Sequence, residues 1–188
     1  MTDAVQQLLT EAADLFAQHD SDIGRSLSDT LRRVRPEPLT RVPGVAPALA
    51  AGSQTGALGA LTACHDALPW RRPGFGHLPV AVAGRIHVAE IVGPQGMLAH
   101  DRIRFGVLMQ DARHAYPSHR HAAEELYVTL AGNAWWRADE TAPSCHGPGA
   151  FIHHRPWQPH AMETGPEAML ALWGWTGQID GGSYSLGG

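Results

Sequence analysis

The sequence predicts a mostly β fold preceded by an α-helical region, and three observations carry that prediction. Apolar residues recur at spacings of three and four over roughly the first seventy positions, then give way to short apolar or alternating runs. Gly, Pro, Asp or Asn punctuate those runs about every eight to twelve residues, the rhythm of an antiparallel sandwich or barrel. Histidine is dense: 12 of 188 residues, seven of them between His114 and His160.

The elements follow in order. Val5, Leu8, Leu9, Ala12, Leu15 and Phe16 make one helical stripe, with Thr2 or Asp3 available as its cap. Ile23, Leu27, Leu31 and Val34 make a second, which stops where Pro36 and Pro38 forbid continuation. A third helix is predicted over about 57–68, with Leu58, Leu61, Cys64 and Leu68 on one side, ending at the loop Pro69–Gly74. Beyond it, Arg85–Val92, Ile103–Met109, Leu126–Leu130, Ala134–Ala138, Ala150–His153 and Ala168–Trp175 read as strands. The stretches around Gly74–Gly76 and Gly93–Gly96 read as turns, although glycine there would also permit lid motion. Seventy residues of thin amphipathic helix bury little alone, so the helical region, 1–72, is expected to pack on the β part, 73–180. The glycine-rich segment 181–188 reads as a mobile tail.

Composition excludes several classes of function. Fourteen Lys and Arg against 18 Asp and Glu give a formal charge of −4, which argues against nucleic acid as a partner. No run approaches the roughly 18 apolar residues of a membrane span. The N-terminus lacks a basic signal-peptide region, so a cytoplasmic location is expected. Cys64 and Cys145 are the two cysteines; one disulfide between them is conceivable, but a reduced compartment suits so sparse a set better. Glycine fingerprints for nucleotides and repeats of 20–50 residues are absent from the chain, and no pattern specifies an oligomeric state.

Chemistry concentrates in Tyr116–Tyr127. Alternation along a strand puts His119 and His121 on one face, and after a turn at 122–124 it puts Glu125 and Tyr127 on one face, opposite Leu126, Val128 and Leu130. Two imidazoles and a carboxylate converging from adjacent strands supply three ligands for one divalent transition metal ion, and His160 is the best candidate to close the set. Tyr127, two residues after a ligand, has a phenol whose ordinary pKa of about 10 is too high for a base, but a nearby dication favours phenolate. A metal and a base together suit removal of a proton alpha to a carboxylate followed by loss of a β leaving group. Glu124 has the wrong parity and is expected in solvent; His114, His146, His153 and His154 are assigned no role, though one of the adjacent pair His153 and His154 can face the cavity. Trp135 or Trp136 is assigned to packing.

The spacing His-x-His-x3-Glu-x6-Gly, from His119 to Gly132, resembles the first cupin motif, and Gly149-x6-Pro156-x3-His160 resembles the second. The resemblance implies a double-stranded β-helix barrel holding a metal inside. One departure is Arg113, which stands where a glycine usually precedes the first histidine by six residues. Tyr116, His119, His121, Glu125 and Tyr127, the run Glu124–Gly132, His160 and Trp173–Gly177 resemble the cupin-type dimethylsulfoniopropionate lyases, the DddQ and DddL group. That resemblance implies cleavage of a small sulfonium carboxylate, dimethylsulfoniopropionate, to dimethyl sulfide and acrylate, with Zn, Fe, Mn or a similar divalent ion. It implies His121, Glu125 and His160 as ligands, His119 as a fourth ligand or a pocket residue, and Tyr127 as the group that abstracts the α-proton. Tyr116 and Trp175 would line the pocket with π faces suited to a sulfonium cation. A lyase acting on another substrate, an Fe(II) dioxygenase and a non-catalytic binding barrel are the alternatives, of which the last leaves Tyr127 unexplained.

Overall fold

The computed structural model describes residues 2–36, 46–48, 55–75 and 78–187. Pro38, Gly76 and Gly188, used above as a helix stop, part of a turn and the chain end, lie outside the described residues.

Helix α1 (Thr2–Phe16) buries Val5, Leu8, Leu9, Ala12 and Phe16 completely, the face set by their three-and-four spacing. Helix α2 (Asp22–Arg33) starts at Ser21, whose Oγ accepts from the Gly24 N–H at 3.1 Å. Its face of Ile23, Leu27 and Leu31 is buried. Helix α3 (Gly56–Cys64) ends earlier than the predicted 57–68, the chain tightening into a 3-10 turn over His65–Ala67. The four-residue α4 (Val80–Ala83) is too short to leave a periodic signal. Among the described residues no helix is long and apolar enough to cross a membrane.

The β part contains β1 (Ile86–Val92), β2 (Arg104–Gln110), β3 (Ala115–Arg120), β4 (Ala123–Ala131) and β5 (Ala134–Ala138). It continues with β6 (Ser144–His146), β7 (Phe151–His154), β8 (His160–Thr164), β9 (Met169–Gly177) and β10 (Ser185–Leu186). Among the described residues these form two five-stranded sheets, ordered β1-β2-β9-β4-β7 and β10-β3-β8-β5-β6, with every pairing between them antiparallel. This is the mostly β architecture with preceding helices that the sequence predicts. Consecutive strands β3 and β4 are not neighbours, contrary to the expectation of adjacent strands: they lie in different sheets, and His121 and Ala122 carry the chain across.

Two apolar clusters explain the burial pattern. In one, α1, α2 and α3 pack on Ala89, Ile91, Phe105, Val107, Leu126, Val128, Leu170 and Leu172, the outer face of the first sheet. In the other, the opposite faces of the same strands contribute Val88, Leu108, Tyr127, Ala171, Trp173 and Trp175 to the barrel interior. The first sheet is thus covered on both sides, which is why β9 is apolar along nearly its whole length rather than alternating.

Segment 181–187, expected as a mobile tail, is paired along its backbone with β3. Ser185 and Leu186 pair with Arg120 and His119. The Gly187 N–H donates to Ser118 O at 2.8 Å, and Ser183 Oγ accepts from the Ala122 N–H at 3.0 Å. Edge strand β3 offers unpaired backbone groups, and this segment satisfies them. The motif glycines Gly132 and Gly149 have φ of 69° and 83°, a left-handed conformation that glycine adopts without steric cost. Arg113 also has a positive φ, 51°, so the arginine occupies a turn whose geometry favours the glycine it replaces. Cys64 is buried, Cys145 is exposed, and both are free thiols.

Candidate metal centre and pocket

Register places the inward-facing groups. On β4, Glu125 lies between Trp175 of β9 and His154 of β7, and Tyr127 lies between Trp173 and Ile152. In the facing sheet His160 of β8 is opposite His119 of β3. His121, Glu125 and His160 are each about 2 % exposed. Each offers one ligand atom, and those three atoms lie within 4.8 Å of one another.

Both histidines of this trio are held by backbone carbonyls. The His121 ring contacts Ala123 O through Nδ1 at 3.0 Å, and the His160 ring contacts Gln158 O through Nδ1 at 2.8 Å. A carbonyl only accepts, so Nδ1 carries the proton in each ring and, in the neutral form, Nε2 keeps its lone pair. Those Nε2 atoms lie 3.1 and 3.2 Å from Glu125 Oε2. Buried His160 Nε2 has no hydrogen-bond partner: like Glu125 Oε2, 3.2 Å away, it offers an electron pair. Three electron-pair donors face one another, an arrangement that needs a shared proton or a cation between them. The donor set and the outward-facing Nδ1–H groups fit a metal ion. The other carboxylate oxygen is already used: Trp175 Nε1–H donates to Glu125 Oε1 at 2.7 Å. Burial alone would push the Glu125 carboxyl up, but His121 and His160 against it hold it well below the usual carboxylate range.

His119 is outside this trio. Its Nδ1 faces Pro117 O at 2.9 Å, and its ring stacks on Tyr116 and Tyr184 with centroids 4.4 and 5.0 Å away. Burial, with His160 adding, lowers its pKa well below the ordinary 6.5. Tyr116 Oη and Tyr184 Oη are 2.7 Å apart, and burial raises the pKa of both phenols. Tyr116, His119, His121, Glu125, Tyr127 and Trp175 all line one cavity. Burial pushes the Tyr127 phenol well above its ordinary value, and the Glu125 carboxylate adds to the rise. Trp175 packs on the rings of His121, 4.2 Å away, and Phe75, 5.7 Å away. The Arg104 guanidinium lies 5.1 Å over the Phe75 ring and is paired at 2.8 Å with Glu90, which is buried.

A family model described as dimethylsulfoniopropionate lyase matches residues 10–171. The chain belongs to the dimethylsulfoniopropionate lyase family. It is 31% identical over 186 residues to the dimethylsulfoniopropionate lyase DddQ of Ruegeria pomeroyi, covering 94% of this chain and 91% of that one. It is 33% identical over 128 residues to the DddL protein of Cereibacter sphaeroides, covering 67% of this chain; there it spans only about half, 53%, of the relative's length. The crystal structure of the Ruegeria pomeroyi DddQ superposes with a TM-score of 0.75 at 26% identity, covering 99% of this chain and 97% of that one.

Within this lyase-family barrel, several positions differ from what sequence patterning anticipates. His154, assigned no role above, is 1 % exposed, stacks face to face on His160 at 4.0 Å and 12°, and has no hydrogen-bond partner at either ring nitrogen. Burial pushes its pKa down to about 3. Its neighbour His153 faces outward and pairs with Glu124 at 2.7 Å. Parity restricts the cavity to one of the two histidines without saying which. Trp136 is buried 4.9 Å from the Tyr127 ring, while Trp135 is 43 % exposed. Tyr184 and Phe75 carry no motif, and their place in the pocket depends on how flanking segments fold back over the barrel mouth.

Proposed function

We propose that the chain is a metal-dependent carbon–sulfur lyase that cleaves dimethylsulfoniopropionate to dimethyl sulfide and acrylate. What supports this most is one juxtaposition: three buried ligand atoms converge, and Tyr127 lies two residues along the same strand face from Glu125. His121, Glu125 and His160 would hold the ion, and His119 would act as a pocket residue. When bound, a divalent transition metal supplies positive charge that acidifies a nearby phenol and polarises a substrate carboxylate.

Tyr127 Oη, as phenolate, takes the proton from the carbon bearing the carboxylate. The electron pair of that C–H bond becomes the second bond between the α and β carbons. The C–S bond breaks, its pair leaving with sulfur as neutral dimethyl sulfide, and acrylate remains. The proton stays on Tyr127 Oη until exchange with solvent resets the base. Tyr116 and Trp175 line the cavity with Phe75 and Tyr184, and an aromatic face turned to the sulfonium attracts it by about 0.5–2 kcal/mol. Trp175 has a second task, because its indole N–H restrains the carboxylate of Glu125.

The test is to supply protein loaded with a panel of divalent metals with dimethylsulfoniopropionate and to quantify both products. Dimethyl sulfide and acrylate in equal amounts are expected, and absence of product with every metal overturns the substrate assignment. Replacing Tyr127 with Phe should lower kcat by about 10²–10⁴-fold, the range for loss of a positioned base, with metal content unchanged. Full activity in that variant would remove Tyr127 from the mechanism.

A further inference from the structure

The turn between β7 and β8, residues 155–159, touches both histidines of the candidate metal centre from outside the barrel. The Trp157 N–H donates to His121 O at 2.7 Å, and Gln158 O accepts from His160 Nδ1–H at 2.8 Å. One short turn therefore holds the backbone of one histidine and the ring of the other. The turn is itself braced. Gln158 Nε2 donates to Asp139 Oδ2 at 2.7 Å, and Gln158 Oε1 accepts from the Arg155 N–H at 2.9 Å. The Asp139 N–H donates to Pro159 O at 2.8 Å. Two non-glycine residues here are left-handed, Trp157 with φ 63° and Asp139 with φ 53°. A conformation that side chains disfavour persists only where surrounding contacts over-determine it, and such positions cluster at functional sites.

We infer that the Asp139–Gln158 pair is a positioning brace that sets the separation and ring orientation of His121 and His160, and so tunes how tightly and in what geometry a metal ion is held. This rests on the metal-centre reading above. Neither residue touches the ligand atoms; both act through the turn. The group on the second nitrogen of His160 is the Gln158 main-chain carbonyl; losing such a group outright typically changes metal affinity by about 10–100-fold, and loosening the turn that carries it costs a part of that range.

The test uses the full chain and Co(II) as the probe, read by its visible ligand-field spectrum and by titration. Gln158→Ala should weaken Co(II) binding by about fivefold or more and alter the spectrum. Asp139→Gly tolerates the left-handed backbone but lacks the acceptor, and should behave as Gln158→Ala does. Asp139→Asn keeps both the backbone preference and an oxygen for Gln158 Nε2, and should remain within about threefold of the parent protein. Circular dichroism at the titration temperature establishes that each variant is folded. Parent-like affinity and spectrum in both Gln158→Ala and Asp139→Gly would overturn the proposal, as would an Asp139→Asn variant as impaired as Asp139→Gly. Failure of the parent chain to bind Co(II) would instead overturn the metal-centre reading on which the proposal rests.

Discussion

Arg113 shows how one residue can carry a cost that its neighbours absorb. With φ 51°, it stands where the cupin motif that the sequence resembles has glycine, and its N–H donates to Gly165 O at 2.6 Å while Arg85 Nη1 donates to its carbonyl at 3.4 Å. The left-handed conformation costs a non-glycine residue about 1–2 kcal/mol, and glycine returns about 0.5–1 kcal/mol through unfolded-state entropy. Arg113→Gly should therefore stabilise the chain by about 1 kcal/mol, raising Tm by roughly 2–4 °C in a thermal melt. Unchanged or lowered Tm would mean that the arginine side chain contributes more than its backbone costs. Residue-scale logic also separates what could be read from the sequence. The shared face of Glu125 and Tyr127 followed from the period of two along a strand, and so did the outward direction of Glu124. The inward choice of His154 over His153 depends on the register of β7 against β4, which pairs His154 with Glu125 and no local pattern encodes.

At the scale of elements, helices α1 to α3 are bound to the barrel by the sheet face opposite the cavity. Leu27 of α2 is fully buried, and its side chain lies so close over Gly174 of β9 that a Cβ there would be 2.4 Å from Leu27 Cδ1. Leu27→Ala should destabilise the chain by about 3 kcal/mol, within the 2–5 kcal/mol usual for emptying such a site. Chemical denaturation should still give one transition seen alike by helix and tryptophan signals, because the helices and β9 share a core. Separate transitions would show that the helical region and the barrel unfold independently. Helix existence was legible from apolar spacing, and most strands from their rhythm. The crossing from β3 to β4 was not, since consecutive strands pair more often than they part. Nor was β10, whose Gly- and Ser-rich surroundings resemble a free end until the edge of β3 is there to receive it.

For the whole molecule, burial of histidine couples stability to pH. Away from the metal centre, burial pushes the imidazoles of His19, His87 and His114 below the ordinary value of 6.5, with His153 adding at His19 and Arg72 at His87. Asp20 and Asp111 pull the other way without reversing the direction. The unfolded chain therefore binds more protons than the folded one between the depressed values and about pH 6.5. The associated stability is fully present above that window and is lost as pH falls through the folded-state values. Urea midpoints should fall between about pH 7.5 and pH 5.5 and stay nearly flat between about pH 7.5 and pH 8.5. A midpoint that rises on acidification would contradict the burial of these rings.

The central claim is that His121, Glu125 and His160 gather to hold one divalent ion beside a tyrosine. Elemental analysis of purified parent protein and of His121→Ala, both loaded with the same divalent metal and desalted, tests it most directly. About one ion per chain is expected in the parent and near none in the variant, with both chains folded by circular dichroism. Equal metal content in the two would contradict the account.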